Sequence, residues 1–207
     1  PNGYDLKVLR IDKTQKKNLK KKFKISNKIP LIGKVARYDP QKNHFNLLKA
    51  LSIIKSKNIN FFCVLVGSNI NYNNIELISE IQKLKLLNNI KLLGQENKIS
   101  TIMSGLDLHV LSSSYGEGFP NVVAESMACG TPNIVTDIGD SKLIVGKTGW
   151  VVPPKNPAKL SKAIENGINE INKLNWNKRC KNARSRIKKY YSISKMLSLY
   201  NKVWFNV

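Results

Sequence analysis

"LIGKVARYDPQKNHFNLLKALSIIKSKNINFFCVLVG", residues 31–67, is the stretch on which the fold turns. It opens with a short apolar run, "LIGKVA" (31–36), that reads as a strand. "NHFNLLKALSIIKSK" (43–57) then brings apolar residues back at Phe45, Leu48, Leu51 and Ile54, the spacing of one helix face. "FFCVLVG" (61–67) is apolar throughout, without the alternation of a half-exposed strand. Such continuous runs belong to strands covered on both faces in a parallel sheet. Strand, helix and buried strand in this order make a parallel crossover unit.

The same alternation continues outward. A helix is expected over roughly 74–87, then the strand "IKLLG" (90–94), a short helix near 97–104 and the strand "LDLHVLS" (106–112). A glycine-rich loop leads to a helix from Pro120 to Ala128, followed by "NIVTD" (133–137) and "WVVPP" (150–154). Pro120 suits a first helical position, where its missing N–H costs nothing. Gly130 suits the helix end, where a left-handed residue is wanted. The last fifty residues read as helices only. The expected class is α/β, a Rossmann-like doubly wound parallel sheet with C-terminal helices. Such sheets bind ligands beyond the carboxyl ends of their strands. The loops at 37–42, 67–73, 94–98, 113–120 and 137–142 all follow strands and converge on that rim.

Composition narrows the partners. The chain has 207 residues, 42% of them apolar, enough for one good core. No run of eighteen apolar residues and no leader-like opening stands out. Cys63, Cys129 and Cys180 are odd in number and far apart, which suits reduced thiols and a cytoplasmic setting. With two histidines, His44 and His109, and no C-x-x-C pair, no metal site is expected. His44 opens a helix after Asn43, a plausible cap; His109 alternates on a strand; Cys129 packs a helix end; and the three tryptophans serve packing.

Thirty-five basic against 13 acidic residues give a net charge of +22. The ends, 1–28 and 155–207, hold 23 of the basic residues and four of the acidic ones. Solvated lysine-rich faces are the plain reading; an anionic membrane surface or partner is the main functional one. Nucleic acid is disfavoured, because the basic ends do not interleave with an aromatic platform.

Against this background "YGEGFPNVVAESMACGTPNIVTD" (115–137) spends two of its few acids, Glu117 and Glu125, around a helix start. A helix N-terminus attracts phosphate. Glu125 lies about 7 Å along that helix at 1.5 Å per residue, where a carboxylate can accept from two neighbouring hydroxyls such as those of a ribose. Glu117, in the loop, faces a second polyhydroxylated group. Arg37 and Lys42, in "VARYDPQKNH", are cations able to hold a diphosphate.

These residues closely resemble the nucleotide-sugar-binding half of retaining glycosyltransferases of the GT-B fold, family four. The resemblance rests on "GKVARYDPQKNH", "LVGS", "LLGQ", "SSSYGEGFPNVVAESMACGTP" and "TDIGDSKLIVGKTGWVVPP", and covers nearly the whole chain. It implies a donor-binding domain over 1–207, with a linker in 1–28 and crossover helices in 175–207. An N-terminal acceptor domain lies outside this chain. By that likeness Glu125 holds the ribose, Glu117 the donor sugar, and Gly118, Phe119, Pro120, Asn121 and Val122 line the sugar and phosphates. Arg37 and Lys42 stabilise the departing diphosphate, with Glu117 beside them at the catalytic centre. Gln95, Glu96 and Ile99 border the base, and Gly67 ends the second strand. The implied donor is a nucleoside-diphosphate sugar with no cofactor or metal. The acceptor is a glycan or lipid-linked glycan of a bacterial surface polysaccharide or lipopolysaccharide, and the enzyme sits in the cytoplasm or on the inner membrane face. Gly67-Ser68-Asn69 departs from the family's Gly-x-Gly, and Ser126 replaces its Ala. A basic nucleic-acid-binding module and a sugar-nucleotide epimerase of related fold are the alternatives.

Overall fold

The computed structural model describes residues 2–171 and 173–205. Six strands form one sheet: β1 (Leu31–Val35), β2 (Phe62–Val66), β3 (Ile90–Leu92), β4 (Leu108–Leu111), β5 (Asn133–Thr136) and β6 (Trp150–Val152). Their order is β3-β2-β1-β4-β5-β6, all parallel, the Rossmann arrangement expected from the sequence. α1 (Lys13–Lys22) precedes β1, and between the strands run α2 (His44–Ser56), α3 (Ile75–Lys83), α4 (Ile99–Gly105), α5 (Asn121–Ala128) and α6 (Ser141–Val145). Three helices follow the sheet: α7 (Pro157–Ile171), α8 (Trp176–Tyr190) and α9 (Ile193–Trp204).

Alternation along each strand divides the core between two faces. Ile32, Cys63, Leu65 and Val110 point towards α2, α3 and α7, meeting Leu47, Leu51 and Ile54. On the other face Leu31, Val35, Val64 and Val66 meet α1 and α4, while Leu111 and Val135 meet α5, α6 and α8. Each fully buried aliphatic side chain contributes about 1.5–3 kcal/mol of transfer free energy. The three layers therefore hold the strand ends, and the loops that leave them, in fixed positions.

Three expectations shift. The lysine-rich run near the start is not merely linker, for it folds as α1, capped by Asp12, with Leu19 in the core. Two of its lysines are anchors, because Lys16 and Lys20 meet the buried Asp107 carboxylate at 2.6 and 3.5 Å. That carboxylate also accepts from the Leu31 amide at 2.8 Å, which ties α1 to the foot of β1. Second, α6 begins within the loop read at 137–142 and continues through residues for which no element is expected. Third, α5 starts at Asn121, with Pro120 at its cap (φ −71°, ψ 100°) and not at its first helical position. Proline's fixed φ suits either position, so its extended ψ decides. Asn43 does cap α2, its side chain accepting from the Asn46 amide. Among the described residues no helix is long and apolar enough to cross a membrane.

Candidate functional site

The chain leaves β1 towards β2 on one side and β4 towards β5 on the other, so a crevice opens between the loops after β1 and β4. A cavity of about 320 Å³ lies there, lined by Val35, Ala36, Arg37, Lys42, Leu111, Glu117 and the run Phe119 to Val122. Both cations and the first glutamate of the sequence reading thus share one space.

They meet directly. Lys42 Nζ donates to Glu117 Oε1 at 2.6 Å, with the two side chains 15% and 7% exposed. Ser113 Oγ donates to the same oxygen at 2.5 Å. Backbone and side chains stitch the two loops together around this pair. Ser114 N donates to Gln41 O, Asn43 Nδ2 to Ser114 Oγ, and Gln41 Nε2 to Gly116 O, at 2.7–2.8 Å. Arg37 is more exposed, and donates to Asp39 Oδ2 and Gln41 Oε1 at 3.2 Å.

The glutamate loop is also supported from behind. Gly139 has φ +54°, and a Cβ there would lie 2.1 Å from Glu117 O and 2.5 Å from Gly118 O. Asp140 N donates to Gly118 O at 2.9 Å. Gly118 itself is exposed. Gly67, with φ +147°, plays the matching part on the other side, since a Cβ there would strike Ala36 O at 2.1 Å. It brings the β2 loop against the β1 loop.

At the start of α5 no side chain caps the helix among the described residues. The Asn121 and Val122 N–H groups, with their partial positive charge, are left to the crevice, while Val123 N donates to Pro120 O at 3.1 Å. The Asn121 side chain turns elsewhere: its Oδ1 accepts from Tyr4 Oη at 2.6 Å and Asn2 Nδ2 at 2.8 Å. Phe119 stacks on Tyr4 and meets Tyr191 edge-on. Tyr4 in turn bridges to Ser192. The first and last segments of the chain are therefore joined beside the crevice.

The remaining expected site residues lie around this centre. Glu125 follows Asn121 by four positions on α5, on the same helix face, but does not line the cavity. It is half-buried, and burial pushes its carboxyl above the usual range. Gln95 and Glu96 extend past Gly94 on the β3 side, and Ile99 packs onto the core beneath. Neither these three nor Gly67 lines the cavity.

His109 is satisfied, its Nδ1 sitting 2.6 Å from Asn133 Oδ1. His44 is buried with both ring nitrogens unpartnered, and burial pushes it down to about 2, so it is neutral. Burial pushes the Cys129 thiol up to about 11, in keeping with a packing role. Sequence reasoning missed Ser113, Gln41, Gly139 and the buried Lys34. The "SSS" run before "YGEG" was the one signal for Ser113.

Comparison with known proteins places this architecture. The family described as "Glycosyl transferases group 1" matches residues 15–194. EpsF of Bacillus subtilis (strain 168) is 34% identical over 146 residues, 70% of this chain and 37% of EpsF. A Campylobacter jejuni protein is 32% identical over 113 residues, 55% of this chain and 29% of its own length. Its name is N-acetylgalactosamine-N,N'-diacetylbacillosaminyl-diphospho-undecaprenol 4-alpha-N-acetylgalactosaminyltransferase. Among solved structures, Anabaena Alr3699/HepE in complex with UDP shares the fold with TM-score 0.87 at 21% identity, over 99% of this chain and 56% of that one. The chain spans about a third of these two curated relatives and just over half of the HepE chain.

Proposed function

The chain belongs to the glycosyl transferases group 1 family, and from that premise we propose that it is the C-terminal, donor-binding half of a retaining glycosyltransferase. One observation carries the reading: Arg37, Lys42, Glu117 and the start of α5 line a single cavity at the switch point of the sheet.

A nucleoside-diphosphate sugar supplies what each group lacks. Its diphosphate lies against the α5 N-terminus, Arg37 and Lys42, which offset the negative charge that builds as it leaves. Fixed cations and helix N–H groups are the strongest such stabilisers a protein has without a metal. Lys42 then exchanges Glu117 for phosphate, and Glu117 turns to the hydroxyls of the donor sugar. Glu125 takes the ribose hydroxyls, and its raised carboxyl range fits a half-buried group waiting for donors. Gln95, Glu96 and Ile99 border the base, and Gly67 and Gly118 let the backbone come close. The UDP bound to HepE supports this donor class.

The acceptor hydroxyl attacks from the face that the diphosphate leaves, so the anomeric configuration is kept. Neither glutamate acts as the nucleophile: with donor bound, the Glu117 carboxylate is engaged by the sugar hydroxyls, and Glu125, which does not line the cavity, by the ribose. The acceptor, a glycan or lipid-linked glycan of a surface polysaccharide, comes with an N-terminal domain. The name of the Campylobacter relative, with its diphospho-undecaprenol acceptor, supports a lipid-linked one. The basic ends suit the anionic inner face of a membrane. Calorimetry of the chain with UDP, GDP, ADP and their sugars tests the reading. Binding of one series, weakened by Glu125→Ala, with little or no turnover, is expected; no heat from any of them sinks it.

A further inference from the structure

Lys34 is the fourth of the five residues of β1 and is 0% exposed. Its Nζ donates to the backbone carbonyl of Lys42 at 2.6 Å and to Ser112 Oγ at 2.8 Å. Ser112 Oγ in turn donates to Asn43 O at 2.9 Å. Among the described residues no carboxylate lies within the 4.0 Å of an ion pair to Lys34. A leucine or methionine would fill the same space without the cost of burying an ammonium, which is large unless compensated. Packing alone therefore gives no reason for a lysine here. What the lysine does touch is the carbonyl of the cation that faces the crevice.

We propose that Lys34 is a proton-linked positioning residue: its ammonium props the Lys42 loop from below, and capture of a diphosphate at Arg37 and Lys42 draws a proton from solvent onto its amine. This rests on the donor-site reading above and deepens it.

The surroundings leave few other charges to respond. From α2 the neighbour is His44, and from β4 it is His109; burial holds these down to about 2 and about 4, so both are neutral. From β2 comes Cys63, whose thiol burial pushes up to about 12. The rim contributes Lys42 and Glu117. Burial first, and then Lys42, bring the Lys34 ammonium from the ordinary lysine value of 10.5 down to about 7, with Glu117 opposing. Near neutrality the side chain is divided between amine and ammonium. A bound diphosphate adds negative charge beside Lys42, beyond the Glu117 carboxylate already there, and favours the ammonium, so binding takes up a proton, most visibly above neutral pH. The ammonium makes the stronger, charge-assisted bond to the Lys42 carbonyl.

The test is an NMR titration of this chain carrying 13C-labelled lysine, with and without saturating inorganic pyrophosphate or the nucleoside diphosphate found by calorimetry. One Cε signal, missing from Lys34→Met, should titrate roughly three pH units below the other lysines, and ligand should raise its midpoint by about one unit. By linkage that is about tenfold tighter binding to the protonated form. Calorimetry in buffers of different ionisation enthalpy should show proton uptake that Lys34→Met loses. If that variant does not fold, Ser112→Ala identifies the same signal by moving its midpoint down. No lysine titrating near neutrality, or a midpoint unmoved by a ligand that binds, overturns the inference alone. Failure of every nucleotide and of pyrophosphate to bind overturns it together with the donor-site reading.

Discussion

On the β1–β4 side of the rim, Glu117 is gripped by Lys42 and Ser113, and three further bonds join the two loops. On the β2–β3 side the hydrogen bonds joining the loops, among the described residues, run through backbone, Gly67 N donating to Gly94 O and Gly94 N to Ile70 O, while Gln95 is exposed to solvent. The first region is organised before any ligand arrives, which is what stabilising a departing charge requires. The second is left adjustable. In the proposed function the reaction end of the donor meets the stiff region and the base meets the loose one. On that reading chemistry is built in firmly, and the choice of base rests on Gln95, Glu96 and Ile99, of which Gln95 is exposed.

The sharpest way to break the contrast is to undo the support of the stiff side. Gly139→Val adds branched carbon where no space exists and where φ is +54°, so it should cost about 3 kcal/mol or more of stability, read as a lower thermal midpoint. An unchanged midpoint means that the glutamate loop is not held from behind. Next in size is Lys42→Ala, which removes a charge-assisted contact. Nucleoside diphosphate affinity by calorimetry should fall about a hundredfold, the equivalent of roughly 2–3 kcal/mol. The smallest effect is expected at Gln95→Ala. Overall affinity should change by about threefold or less, yet the ranking of UDP, GDP and ADP should alter. A hundredfold loss there would show that the loose side is as organised as the other.

How much of this could be read beforehand depended on whether a signal was local. β2 announced itself by an unbroken apolar run, and α2 by its spacing and its Asn43 cap. α1 hid because nine of its ten residues are polar or charged, and its anchor, Asp107, is remote in sequence. Among the site residues, Arg37, Lys42 and Glu117 were recognisable as types in loops. That Lys42 and Glu117 pair depends on which loops face each other across a strand-order reversal, and no spacing encodes that. Gly139 was invisible for a related reason, since it matters only against the carbonyls of Glu117 and Gly118. Lys34 looked like one basic residue among 35 until its complete burial was known.

The contact between Leu31 and Asp107 joins positions 76 residues apart and sits at the foot of the β1–β4 pairing. Closing so long a loop carries its entropy cost before any contact repays it, which slows assembly. The connections that join β1 to β2 and β2 to β3 are shorter, so those pairs close at a lower entropic cost. Until the longer loop closes, the Arg37–Lys42 segment exists without the carboxylate that will neutralise it. The crevice therefore forms only when this long-range pairing closes, so a grip on the anion reports that β1 and β4 have found each other.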